Sequence, residues 1–199
     1  MENNYKRDIE RQFGVIDMML TAHSFLRDRY DFYAQIFDVL QFVVAVVLNS
    51  AVLADVFNLM QIGKQVTNII IGISSIILLL LSLTTLVMGW KDKALKHNEA
   101  AGILSNMKLN CRLLKLEPVL SLEQVQKQTD AYNNKLNDLP ISIPERQFLK
   151  LKAYHQRKKM LSEAMSEYPG SSAFLIRMML WLKVNLKVLR SMGKRGEEN

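Results

Sequence analysis

Cysteine is almost missing from this chain: Cys111 is the single one in 199 residues. A lone thiol excludes an internal disulfide framework and a cysteine-based zinc site, and it reads as a reduced, packed side chain. Histidine is nearly as scarce. His23, His97 and His155 lie on three separate segments; no HExxH pair and no glycine-rich phosphate loop occurs, so the common metalloprotease and nucleotide-hydrolase sites are not written here. His97 and His155 can still meet in a folded bundle, where structural histidines would account for them. No metal site and no cofactor is expected. The 4 prolines stand only where helical patterns stop. Charge is missing most conspicuously between Lys64 and Lys91.

That uncharged stretch, QVTNIIIGISSIILLLLSLTTLVMGW, is about 26 residues long, where roughly 20 apolar residues cross a bilayer core as a helix. Its apolar residues surround the helix axis, and Trp90 followed by Lys91 and Lys93 has the composition of an interfacial anchor. The alternative is a buried core helix of a soluble protein. A second candidate span runs from about Ile36 to Asn58. Its uncharged core is only Val39 to Ala54, bounded by Asp38 and Asp55 and interrupted by Asn49. With the two carboxylates at opposite headgroup levels the helix spans the membrane at low cost. So placed, they stand too far apart for paired acid–base catalysis, and no catalytic residues are expected. The short connection from Phe57 to Val66 favours a membrane hairpin over one span plus a surface helix.

The expected fold is all-α, with an N-terminal helix over 1–34, a transmembrane hairpin over 35–90 (spans about 36–58 and 66–90), a cytosolic bundle over 91–168 and a basic amphipathic helix over 172–192. In the first helix Ile9, Phe13, Ile16 and Leu20 share one face, which His23, Arg27 and Tyr30 continue. This seam can pair with a later helix of the chain or with a second subunit, and the four apolar residues are the expected oligomer contact. The first apolar run begins some 35 residues in, behind several charges and without a small-residue cleavage site, so no cleaved signal peptide is expected. Lysines and arginines flank the hairpin on both sides against Lys64 alone in its connection, which puts both termini in the cytoplasm.

Each span carries a polar stripe. Asp38, Gln41, Asn49 and Asp55 fall within about a third of the first helix's circumference, and Thr67, Ser74, Ser75, Ser82 and Thr85 gather on one face of the second. Small hydroxyl residues let membrane helices pack closely. Several hairpins can instead gather these stripes around water, with Asp38, Gln41, Asn49, Asp55, Ser74 and Ser82 lining a path.

After Trp90 the helix is expected to run on, with His97, Ala101, Leu104, Met107, Cys111 and Leu114 on one face and a stop before Pro118. Ser121 and Gln124 form a capping box for the next helix, whose buried face is Leu122, Val125, Tyr132, Leu136 and Leu139. LPISIP is an extended link. Ser142 and Glu145 are expected to cap a third helix carrying Leu151, Tyr154, Leu161 and Met165 and ending at Pro169-Gly170. In the last helix Lys183, Lys187, Arg190 and Lys194 share a narrow face beside a broad apolar side that includes Trp181. It lies at the cytoplasmic headgroup boundary or packs on protein; in the first case Trp90, Trp181, Lys183, Lys187 and Arg190 touch the membrane surface. The net charge of +7 suits anionic lipid or an acidic partner and does not by itself indicate specific nucleic-acid binding.

The order of these features resembles the SLATT domains, two-transmembrane effectors found beside nucleotide-second-messenger synthases and nucleotide sensors in bacterial conflict systems. The resemblance is carried by RDRYDFYAQIFD, the hairpin, the junction GWKDKALKHNEAAGIL and the late DLPISIPERQFLKLKAYH. It implies no enzyme but a pore-forming or membrane-disrupting effector in the bacterial inner membrane that stops phage spread by damaging the infected cell. It also implies a homo-oligomer, membrane lipid as a partner, and a nucleotide-signalling or other defence protein encoded nearby. A membrane-anchored helical scaffold recruiting a cytosolic partner is the competing reading; a small oligomeric transporter is a third.

Overall fold

The computed structural model describes the backbone of residues 2–57, 64–117 and 121–196, and the side chains of 5–57, 65–117 and 121–186. The hairpin tip with Gln61 and Gly63, the Lys64 side chain, Pro118, and the side chains of Lys187, Arg190 and Lys194 lie outside these ranges.

Among the described residues all regular structure is helical: α1 (Glu2–Val56), α2 (Lys64–Met88), α3 (Trp90–Leu116), α4 (Leu122–Asn137), α5 (Glu145–Glu167) and α6 (Ala173–Gly196). The N-terminal helix and the first span are one continuous α1 of 55 residues, about 80 Å long at 1.5 Å per residue. Nothing in its sequence breaks it, since it contains no proline and its one glycine, Gly14, sits where an added Cβ meets nothing within 4 Å.

α2 and α3 continue one another through a single left-handed residue, Gly89, with φ 56° and ψ 40°. A side chain there costs about 1–2 kcal/mol on backbone grounds alone, and glycine avoids that cost. Both α2 and α3 run along α1, so one long helix serves as the spine for the membrane layer and the layer beyond it alike. The most apolar 18-residue window of the spine helix is 0% buried within the chain, and that of the α2–α3 run is 6% buried. A core helix in a soluble protein would be covered; here Phe42, Leu79, Leu80, Leu86 and Val87 point outward, and lipid is the solvent that suits them.

The core sits below the membrane layer, between α1, α3 and α4. Ile9, Ile16, Leu104, Met107, Cys111 and Val125 are buried together, with Phe13, Leu20, Tyr132, Leu136 and Leu139 packed around them. Fully burying an aliphatic side chain contributes about 1.5–3 kcal/mol, so this layer fixes the α1–α3 register. Ion pairs flank it, Lys108–Asp17 at 2.6 Å and Lys115–Glu10 at 3.4 Å. Gln12 donates to Thr129 Oγ1 at 3.0 Å and so ties α4 on. The Cys111 thiol accepts a contact from Gln128 at 3.1 Å, and burial pushes its pKa up, which keeps it protonated and unreactive.

α4 starts with the expected capping box, Ser121 and Gln124 each satisfying the other's backbone N–H. Leu122 departs from expectation by being 53% exposed; it is the first residue of the helix, before the turn that reaches α3. α5 also differs at its start. Pro144 is its N-cap and no side chain caps it, because Ser142 lies two residues upstream of the cap position, too far to reach the first free N–H groups.

The chain divides into two compact units, 1–142 and 143–199, with the boundary inside LPISIP. Pro140 and Pro144 flank this boundary, and α5 packs on α6. Leu151, Ala164 and Ile176 are buried in that second unit, while Tyr154 and Met165 are exposed.

Candidate functional site

Three polar layers interrupt the apolar contact of α1 with α2 and α3. The uppermost lies within the spans. Gln41 Nε2 donates to Thr85 Oγ1 at 2.9 Å across the two helices, and Thr85 in turn donates to the Leu81 carbonyl at 3.0 Å. Ala34, Ala54, Thr67 and Ser74 are buried; such small residues let helix backbones approach. The polar stripe of α2 therefore splits: Thr67, Ser74 and Thr85 turn inward, while Ser75 and Ser82 are exposed. Ser75 donates to the Ile71 carbonyl of its own helix at 2.8 Å.

The stripe of α1 splits as well. Gln41 is engaged inside the hairpin, whereas Asn49 and Asp55 are exposed on its outside. Asn49 Nδ2 donates to the Ala45 carbonyl of its own helix at 2.9 Å. Asn49 stands 11 residues past Asp38 and Asp55 stands 17 past it, or about 16 and 26 Å along the axis. Against a hydrocarbon core of about 30 Å, Asn49 is close to the midplane and the two carboxylates are close to its edges.

The middle layer lies at the Asp38 level. Lys91 Nζ pairs with Asp38 Oδ2 at 2.7 Å, joining the start of α3 to α1 directly below Gly89. The Trp90 ring lies 4.4 Å from Phe37 and 6.1 Å from Tyr33, centroid to centroid, and Arg29 donates to the Tyr33 hydroxyl at 3.1 Å. An aromatic and cationic belt of this composition fits a headgroup boundary.

The lowest layer is a buried histidine pair. His23 of α1 and His97 of α3 are 0% and 1% exposed, and their Nδ1 atoms are 2.9 Å apart. Tyr30 stacks on His97 at 5.6 Å with rings 9° from parallel, and Lys93 lies over Tyr30 at 6.0 Å. Arg27, one turn along α1, donates to Asn98 at 3.1 Å and pairs with Asp28 at 2.8 Å. His23 Nε2 is buried without a hydrogen-bond partner. A buried N–H left unpaired costs more than a buried lone pair, so the favoured arrangement has His23 Nδ1–H donating to the His97 Nδ1 lone pair. The pairing of His97 with His23, rather than with His155, was hidden in the sequence because both residues only continued apolar seams.

A family model for the SMODS and SLOG-associating 2TM effector domain, family 4, matches residues 6–167. The chain belongs to this SLATT family. No curated protein and no solved structure gives a match. Membership identifies a two-transmembrane effector domain of conflict systems, and the matched residues take in the hairpin, both residues of the histidine pair and all of α5.

The remaining expected site residues of this SLATT domain separate by place. Ile9 and Ile16 are fully buried against α3 and α4 within one chain, and Phe13 and Leu20 are partly covered there; the seam pairs with a later helix of the same chain. Trp181 and Lys183 are exposed on α6, in the second unit. Among the described residues no group of three metal-ligating side chains converges.

The histidine pair gives the SLATT domain a pH dependence of defined sign. Burial, and then the neighbouring His97, lower the His23 pKa from 6.5 to about 4; burial lowers that of His97 too. The unfolded chain thus binds protons that the folded one refuses. Stability is full above pH 6.5 and falls as pH drops towards 4, by at most about 1.4 kcal/mol per pH unit for each histidine. The melting temperature in detergent should fall between pH 7 and pH 5, and the slope should flatten in the His23→Leu/His97→Leu double variant. An unchanged slope would place the titrating groups elsewhere.

Proposed function

We propose that this SLATT domain is a homo-oligomeric pore-forming or membrane-disrupting effector in the bacterial inner membrane, acting in anti-phage defence by damaging the cell that carries it. The observation that carries this reading is Asn49, exposed near the midplane and donating to the Ala45 carbonyl of its own helix rather than to α2. A single hairpin would offer that group, and Ser82, to hydrocarbon. A polar side chain at the centre of a span favours a partner helix or a wet cavity. Two helices are too few to enclose a path, so several hairpins must gather their outward polar groups, Asn49 and Ser82 in the middle and Asp55 at one mouth.

Gln41, Thr67 and Ser74 then hold each hairpin together, and Asp38 with Lys91 fixes its cytoplasmic edge. Trp90, Trp181, Lys183, Lys187 and Arg190 act as membrane-surface contacts. The trigger is a nucleotide-signalling or other defence protein encoded nearby. No catalysis is required of the chain, because a breached membrane is the output. Ion efflux from liposomes carrying the protein with its trigger tests the function.

The reading also fixes an orientation, with both termini cytoplasmic and only the hairpin tip outside. A cysteine placed at Gln61 should be labelled from outside intact cells, and one at Ser172 should not. The opposite pattern would refute the topology.

A further inference from the structure

Within the second unit, α5 and α6 enclose a cleft of about 520 Å³. Arg157, Lys158 and Arg177 line it together with Leu161, Leu180 and Trp181. The three cations are exposed, and no carboxylate pairs with any of them among the described residues. Arg157 spends its Nε on the Ala153 carbonyl at 3.3 Å, which leaves its terminal nitrogens for another acceptor. Three like charges around one cleft repel one another unless an anion joins them, and a phosphate satisfies guanidinium donors well.

The rest of the lining is apolar. Trp181 is 66% exposed, and Phe174, Leu175 and Met178 continue an apolar surface along α6 at 71%, 56% and 49% exposure. A compact hydrophilic anion would leave that surface bare. An occupant with a phosphate at one end and hydrocarbon at the other covers both, and the membrane to which this chain is anchored supplies such molecules.

We propose that the α5–α6 cleft binds an anionic phospholipid, with Arg157, Lys158 and Arg177 on the phosphate and Leu161, Leu180 and Trp181 against the glycerol and first acyl carbons. The site rests on the membrane association of the chain and not on conduction. Bound there, the lipid clamps the second unit to the inner leaflet and makes the domain sensitive to headgroup charge.

The test uses the full chain in detergent with Trp90→Phe, which leaves Trp181 as the single tryptophan reporter. Titration with dioctanoyl phosphatidylglycerol should give a saturable blue shift of Trp181 emission, and dioctanoyl phosphatidylcholine should bind at least about tenfold more weakly, because its choline ammonium cancels the net charge of the headgroup and is repelled by the three cations. Arg157→Gln/Arg177→Gln should weaken the phosphatidylglycerol response by a similar factor, and Lys127→Gln, exposed on α4 and outside the cleft, should not. If the double variant loses helix content, the milder Lys158→Gln provides the comparison, with a smaller loss expected. Equal response to the two lipids, an unchanged response in the cleft variants, or displacement of the lipid by AMP would overturn the proposal, the last by assigning the cleft to a soluble nucleotide. Lipid binding without conduction would count against the pore alone, and conduction without lipid binding against the cleft alone.

Discussion

Replacing Asn49 by Leu should leave the protein inserted and folded but abolish most of its ion flux and toxicity. The side chain is exposed and donates to the Ala45 carbonyl of its own helix, so its loss removes no hydrogen bond described between α1 and α2, and leucine favours the span. What it removes is a polar group near the midplane of every subunit. An interhelical hydrogen bond in a membrane contributes roughly 1–2 kcal/mol at most, and a ring of subunits loses one per chain, so flux should fall at least about tenfold. Gln41→Leu should act differently. Its amide holds Thr85, and the change should loosen the hairpin itself, lowering thermal stability by about 0.6 kcal/mol. If Asn49→Leu leaves efflux at the wild-type level, the outward polar groups are not what the assembly gathers around.

The second large effect is at Ile16. It is 0% exposed, packed between α1, α3 and α4, and Ile16→Asp would bury a carboxylate without a partner. Lys108 is engaged by Asp17 and Lys115 by Glu10, so neither is free to compensate. An uncompensated buried charge destabilises by about 3–5 kcal/mol, a large part of the stability of a small domain. Thermal unfolding in detergent should shift down sharply, with the α1–α3 pair becoming protease-sensitive. A variant of normal stability that had lost only its higher-order species would instead show the seam to be a contact between subunits.

Helix periodicity made much of the scaffold legible in the sequence. The run from His97 to Cys111 is buried at each seam position, and Ser121 with Gln124 caps α4 as their spacing requires, since both follow from local geometry. The features that escaped depend on contacts far apart in the chain. Gly89 lies inside an uncharged stretch, and hydropathy cannot distinguish a helical glycine from a left-handed one. His23 and His97 are 74 positions apart and meet only because the α1–α3 register aligns two seams whose polar members looked like places where packing weakens. The choice between α5 joining a cytosolic bundle and α5 pairing with α6 was open to the same periodicity, because both helices carry apolar residues on more than one side.

In the membrane layer the sequence placed polar residues by angle, and the structure divides them by neighbour. Gln41 and Asn49 share a sector of α1, yet one bonds across to Thr85 and the other faces out. Ser74 and Ser82 share a face of α2, yet Ser74 is 8% exposed and Ser82 is open. The sector is wide enough for α2 to cover one edge of it and leave the other bare. That bare edge is where subunits would meet.

Planar-bilayer recording on the purified protein with its trigger present tests the central claim most directly. Stepwise ion currents that appear with the trigger and shrink in Asn49→Leu are the expected result. A correctly assembled wild-type protein that passes no current would contradict the effector reading and leave a membrane-anchored scaffold in its place.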